Sequence, residues 1–164
     1  MRIAHVVSTI LNNFGIVTFA VAVVVAIAKS RRAGRQHVVV TTAYVLWGEI
    51  LFYSVGLTLA WAGVSHAFFQ PIAAASTGWN PSPFESELAW AEIGTALIAM
   101  ASLWRGYEMR LAATLVFVVF SAGAAVAHLD RIAWLGVWFD YVLLPVAVLV
   151  LAFLSRDAYE RTRR

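Results

Sequence analysis

The chain has 164 residues and no cysteine; 62% of it is hydrophobic and only 13% is charged. Soluble domains average about 45–50% apolar and about 25% charged residues, and a fold of this size cannot hide so much apolar surface from water. Composition therefore excludes a soluble domain, a disordered chain and a disulfide scaffold, and it removes thiolate chemistry and thiolate metal ligation.

What remains is an all-α integral membrane protein. A spanning helix needs roughly 20 mostly apolar residues. Charged residues divide the chain into five such stretches, at about 6–28, 38–69, 83–104, 111–128 and 132–154. The first ends in Ala26-Ile27-Ala28, as a cleaved signal segment would, but its basic cluster follows the apolar run and Asn12 and Asn13 interrupt it. A retained helix is expected. The second stretch exceeds the thickness of a bilayer, so it tilts or projects. Before the third, Ser82, Pro83 and Glu85 read as an N-cap, a first helical residue and a capping-box partner. In the fifth, Pro145 predicts a kink that frees the carbonyl near Tyr141.

Basic residues predict orientation. With the N-terminus outside, the segments 29–37, 105–110 and 155–164 lie inside and hold ten of the twelve Lys and Arg residues, leaving Arg2 and Arg131 outside. The sequence pI of 9.7 is thus a topology signal, which implies contact with anionic lipids of the inner leaflet and not with nucleic acid. A multi-pass protein of the bacterial cytoplasmic membrane is the expected setting.

Ionisable residues within spans are expensive and normally face protein or water. Glu49, Glu92 and Asp140 are placed this way. Helical spacing puts Glu49, Gly56 and Gly63 on one stripe near His66, and Ala89, Glu92, Ala96 and Ala99 on another, with Glu85 one heptad above Glu92. Thr114, Ser121 and His128 form a third stripe, and Gly136 shares a face with Asp140. Each stripe is expected to face the bundle interior. His66, Glu87, Glu92, His128 and Asp140 then converge on the outer half of the bundle as candidate ligand-binding residues. The tryptophans read as interface belts, with Trp47 and Trp104 on the inner side. Trp79 and Trp138, on the outer side, are further candidates for lining an amphipathic ligand site.

This set suits three chemistries: a divalent metal on His66, His128 and Asp140, proton transfer, or hydrogen bonding to a quinone-like head group. Haem between two histidines is a fourth option, and the cofactor stays open. A role in binding or carrying a small ligand, metal ion or proton is the first expectation. An accessory subunit of a larger membrane complex, or a homo-oligomer, is the alternative. An enzyme has least support, since no nucleophile–base motif or phosphate loop is present.

The segment Gly78-Trp79-Asn80-Pro81-Ser82-Pro83-Phe84-Glu85-Ser86-Glu87 resembles the Gly-Trp-x-x-Ser-Pro-Phe-Gln-x-Glu signature of an uncharacterised bacterial family of small polytopic membrane proteins. The stretches Ala62 to His66, Gly123 to His128 and Asp140 to Pro145 are similar to it as well. Glu85 stands where that signature has Gln. The resemblance carries no activity, but it singles out His66, Glu87, His128 and Asp140.

Overall fold

A computed structural model describes residues 13–35, 41–71, 73, 82–129 and 135–162 of the chain. Among these residues the structure is helical, with no strand. Helix α1 is Phe14–Arg35 and α2 is Thr42–Phe68. Helix α3 is Phe84–Ala101, followed by a 3-10 turn over Ser102–Trp104. Helix α4 is Tyr107–Ala127, and α5 runs from Leu135 to Thr162.

By length and apolarity four of these helices can cross a membrane: α1, α2, α4 and α5 as far as Arg156. Helix α3 is not among them. It has 18 residues, and three of them are Glu85, Glu87 and Glu92. The expectation of five spans is thus met by four helices, and acidic residues set the fifth apart. The helices also run past their predicted apolar limits, to Arg35 in α1 and Thr162 in α5. Arg and Glu are good helix formers, so the ends continue where the apolar run stops.

Successive helices alternate in direction, as contacts between their ends show. Lys29 near the end of α1 meets Glu49 near the start of α2. Gln70, just past α2, donates to Ser86 at the start of α3. Arg110 at the start of α4 reaches back to carbonyls after α3. His128, just past α4, stacks on Tyr141 near the start of α5. One end of the bundle therefore carries Lys29, Glu49 and Arg110, and the opposite end carries His66, Glu85 and His128. We call these the basic end and the histidine end.

Helix α2 is the central element. Half of its apolar window is buried within the bundle, against 22–28% for the other three long helices. It supplies Trp47, Ile50, Leu51, Val55 and Leu59 to the core, which meet Ala96 and Ala99 of α3, Phe117 of α4, and Phe139, Leu144 and Val148 of α5. Its start is capped by Thr41, whose hydroxyl accepts from the Tyr44 N–H at 3.3 Å. Valines and other large apolar residues on the opposite faces of α1, α4 and α5 stay exposed, including Val24, Val119 and Phe153. Such surfaces suit lipid, which demands no polar partner from a side chain.

Two features of α2 depart from a plain α-helix. Residues Ile50–Leu57 form a π-helical segment. Further along, α2 crosses α3 so closely that a Cβ on Gly63 would lie 2.7 Å from Ile93 Cγ1 and 2.8 Å from the Ala89 carbonyl oxygen. A Cβ on Gly56 would lie 2.6 Å from Met100 Cγ. The seven-residue stripe is thus buried as expected but split between neighbours: Gly56 and Gly63 face α3, whereas Glu49 turns to α1.

The basic end is held by Arg110, which is 6% exposed. Its guanidinium donates from Nε to Ser102 O at 3.3 Å, from Nη1 to Tyr44 O at 2.8 Å and from Nη2 to Leu103 O at 3.0 Å. It also lies over the Tyr44 ring, 4.0 Å from the centroid, and against Gly48. One buried cation thus satisfies two carbonyls left over at the end of α3. Trp47 corrects the belt assignment: it is fully buried and donates from Nε1 to Thr114 Oγ1 at 2.9 Å. Trp104, at 71% exposure, keeps the surface position.

Gly63→Ala is expected to lower stability by about 1–3 kcal/mol through overpacking against the α3 backbone. Gly94→Ala, where a Cβ meets nothing within 4 Å, is expected to be neutral or to add up to about 1 kcal/mol of helix propensity. Equilibrium unfolding in detergent measures both.

Candidate functional site: a carboxylate-lined cavity

A cavity of about 40 Å³ lies between α2, α3, α4 and α5. Its polar lining is Ser54 and Thr58 from α2, Glu92 from α3, and Asp140 and Tyr141 from α5. Apolar walls come from Val55, Leu59, Phe117 and Leu144, among others. The site exists because α2, α3 and α5 each turn polar residues inward among small or apolar groups, while α4 adds the Phe117 ring.

Glu92 is 5% exposed, and its Oε2 is buried without a hydrogen-bond partner. The Oδ1 of Asp140 is buried and unpartnered in the same way. Desolvating a carboxylate without partners is costly, so these two residues bring an unmet demand for hydrogen bonds to the site. About 10–15 Å³ suffices for one water molecule, so the cavity has room to meet that demand with water or with protons.

Two of the four helices that line the site change winding there. Ser54 and Val55 lie in the π segment of α2. Asp140 and Tyr141 lie in a second π segment, Phe139–Leu143. In that second segment the Leu144 N–H reaches back five residues to the Phe139 carbonyl. Pro145 follows directly and has no N–H to give the Tyr141 carbonyl, which realises the predicted disturbance as a π turn. Such turns inside α-helices are frequent at functional sites.

Helix α1 supports the site from behind. The Asp140 carboxylate lies directly against Gly15, in the space that a Cβ would take. The Gly15 carbonyl accepts from Thr18 Oγ1 at 2.9 Å and Ser54 Oγ at 3.4 Å. Thr18 and Thr58 hydroxyls lie 3.1 Å apart. The hydroxyls thus tie α1 to α2 beside the cavity.

Tyr141 links the cavity to the histidine end. Its hydroxyl is within electrostatic reach of Glu92 and Asp140. Its ring stacks on His128, with centroids 5.5 Å apart and planes 4° from parallel. His66 is buried at 7% exposure, its Nδ1 has no partner, and the charge of Glu85 acts on it.

The structure brings Glu92 and Asp140 together and sets His128 one ring away. It places His66 apart, paired electrostatically with Glu85. Among the described residues no group of three or more His, Asp or Glu is arranged to hold a metal ion, so His66, His128 and Asp140 do not form the expected ligand set. Glu87 points to the surface, and Trp138 is 42% exposed. Trp79 lies outside the described residues. Glu85 does not complete a capping box: Pro83 takes the cap position with no side-chain bond, and Glu85 is 1% exposed with both carboxylate oxygens buried. Its heptad spacing from buried Glu92 was the signal for that inward turn. Ser54, Thr58 and Tyr141 were not singled out by sequence; Ser54 and Thr58 stand four apart, a one-face spacing, and Tyr141 adjoins Asp140.

These features define a helical bundle with four helices long and apolar enough to cross a membrane and with buried carboxylates on an internal cavity. The chain belongs to DUF6790, a family of unknown function, whose match covers residues 12–161. No curated protein and no solved structure matches it.

Gly15→Ala is expected to displace the Asp140 carboxylate and to cost about 1–3 kcal/mol of stability. In an Asp140→Ala background the same change is expected to cost less. A double-mutant cycle should return a coupling of about 0.5–3 kcal/mol, the range for residues in contact.

Proposed function

We propose that this protein binds a proton at the Glu92–Asp140 cavity and carries it through the bundle. The observation that supports the reading is one small cavity with two buried carboxylates from different helices, each offering an unpartnered oxygen. A proton or a water molecule bound here supplies hydrogen bonds that the surrounding protein does not. The Ser54 and Thr58 hydroxyls, engaged with Gly15 and Thr18, keep lone pairs that can accept from a water molecule in the cavity. At 40 Å³ the space is far below the roughly 300–1,000 Å³ of pockets that hold organic ligands. It suits water and protons and not a quinone-like head group.

The membrane setting belongs to the same proposal. Ten of twelve basic residues fall on one side if the N-terminus is outside, and Arg31, Arg32, Arg35 and Arg105 are exposed at the basic end. This arrangement supports a bacterial cytoplasmic membrane with the basic end against anionic inner-leaflet lipids. The cavity then communicates with the outside through Tyr141 and His128.

Two measurements test this. In proteoliposomes with an entrapped pH dye, Asp140→Asn and Glu92→Gln are each expected to lower proton flux by roughly 10²-fold, the scale for removing a proton-transfer group. Glu87→Gln is expected to leave flux unchanged. Wild-type flux in either cavity variant refutes the reading. For orientation, a reporter fused after Arg164 is expected to respond from the cytoplasm; an external response refutes the topology.

A further inference from the structure

Lys29 is the only lysine in the chain; all other basic residues are arginines. That lysine makes an unusual contact. Its Nζ lies 2.6 Å from Glu49 Oε1, with the Lys29 side chain 53% exposed and that of Glu49 2% exposed. The other carboxylate oxygen, Glu49 Oε2, is buried and unpartnered.

Two cations face Glu49. Lys29 comes from α1, and Arg110 from α4 acts on it electrostatically. Arg110 is committed elsewhere, to three carbonyls and the Tyr44 ring. Lys29 is half in water on a flexible four-carbon stem. Of the two, only Lys29 can leave Glu49 without breaking the fold.

The π segment connects this pair to the cavity. It begins at Ile50, immediately after Glu49. Winding with i→i+5 bonds brings a residue five positions along onto nearly the same face. Ser54 is that residue, and Ser54 and Thr58 line the cavity. Five residues advance the helix by about 7.5 Å or less, so Glu49 and the polar lining of the cavity stand little more than one turn apart on α2.

We propose that Lys29 and Glu49 form a gate at the basic end of the proton path, in which the Lys29 ammonium is a tethered cation that occupies Glu49 whenever a proton does not. The gate rests on the proton-carrying reading of the cavity. A proton arriving from the cavity bonds to Glu49 Oε2, and the neutral carboxyl group releases the ammonium into water. Glu49 then gives its proton to water at the basic end, and Lys29 returns. Every group regains its starting charge, and no electrons move. The lone lysine follows from this cycle. An arginine would hold both carboxylate oxygens in a bidentate pair and would not let go.

Proteoliposome flux with substitutions of opposite sign tests the gate. Lys29→Met, which removes the tethered cation, is expected to raise flux several-fold. Lys29→Arg, which locks the pair, is expected to lower it about tenfold, and Glu49→Gln, which takes no proton, to lower it at least as much. A second readout does not depend on flux. An amine-reactive reagent has only Lys29 and the chain's α-amino group to modify, and Lys29 is expected to acylate several-fold faster in Glu49→Gln than in wild type. The gate is overturned if Lys29→Met and Lys29→Arg change flux in the same direction, if neither changes it, or if acylation is unaffected by Glu49→Gln. Wild-type flux indifferent to all three variants removes the gate and leaves the cavity reading standing. No flux in the wild type removes both.

Discussion

The close crossing of α2 and α3 is the constraint on which the remaining architecture rests. Gly63 lets the two backbones touch near the Ala89 carbonyl, and Gly56 admits Met100. In lipid, apolar side chains gain nothing by leaving an apolar solvent, so helices associate through tight van der Waals packing and polar contacts. Here tight packing also shields charge. Only with α3 drawn onto α2 do Glu85 and Glu92 sit buried and not in hydrocarbon. Of the three acidic residues that keep α3 out of the set of apolar spans, the crossing hides two, Glu85 and Glu92. Sequence and packing thus answer one another: a helix too polar to face lipid on all sides is held against the most buried helix of the bundle.

The bundle treats its buried polar groups in two ways. At the basic end Arg110 spends its donors on carbonyls and Trp47 donates to Thr114. These bonds satisfy their donors and fasten three helices. In the middle and at the histidine end, oxygens of Glu92, Asp140 and Glu85 and a nitrogen of His66 are buried without partners. Unpartnered oxygens of Ser30, Glu49 and Ser155 add to these at the basic end, so unmet hydrogen-bonding capacity is found along the length of the bundle. The proposed proton site and gate both lie where that capacity is found.

Much of the fold could be read from periodicity. The helices fall where apolar runs fall, and the stripes Thr114–Ser121 and Ala89–Glu92–Ala96–Ala99 are buried as their spacing implied. Glu92 and Asp140 could be singled out because a carboxylate within an apolar run needs a reason. Other features depend on contacts between distant segments, which spacing within one helix does not encode. Trp47 has the look of a belt residue until Thr114, far along the chain, accepts its N–H. Glu85 stands in a capping pattern, yet the neighbouring α2 surface draws it inward. The seven-residue stripe of α2 assumes unbroken α-helical winding, and the π segment voids that assumption between Glu49 and Gly56. Ser54 therefore faces the cavity although no α-helical stripe announced it.

The two π segments have one more consequence. Helices usually open a space by bending or breathing, and they close it again by restoring the α-helical bond pattern. In α5 that return is blocked, because Pro145 has no N–H with which to rebuild the bond to Tyr141. The covalent ring of an imino acid, and not an occupant, keeps that wall of the cavity apart. That wall of the cavity is therefore set partly by covalent structure and not by packing alone.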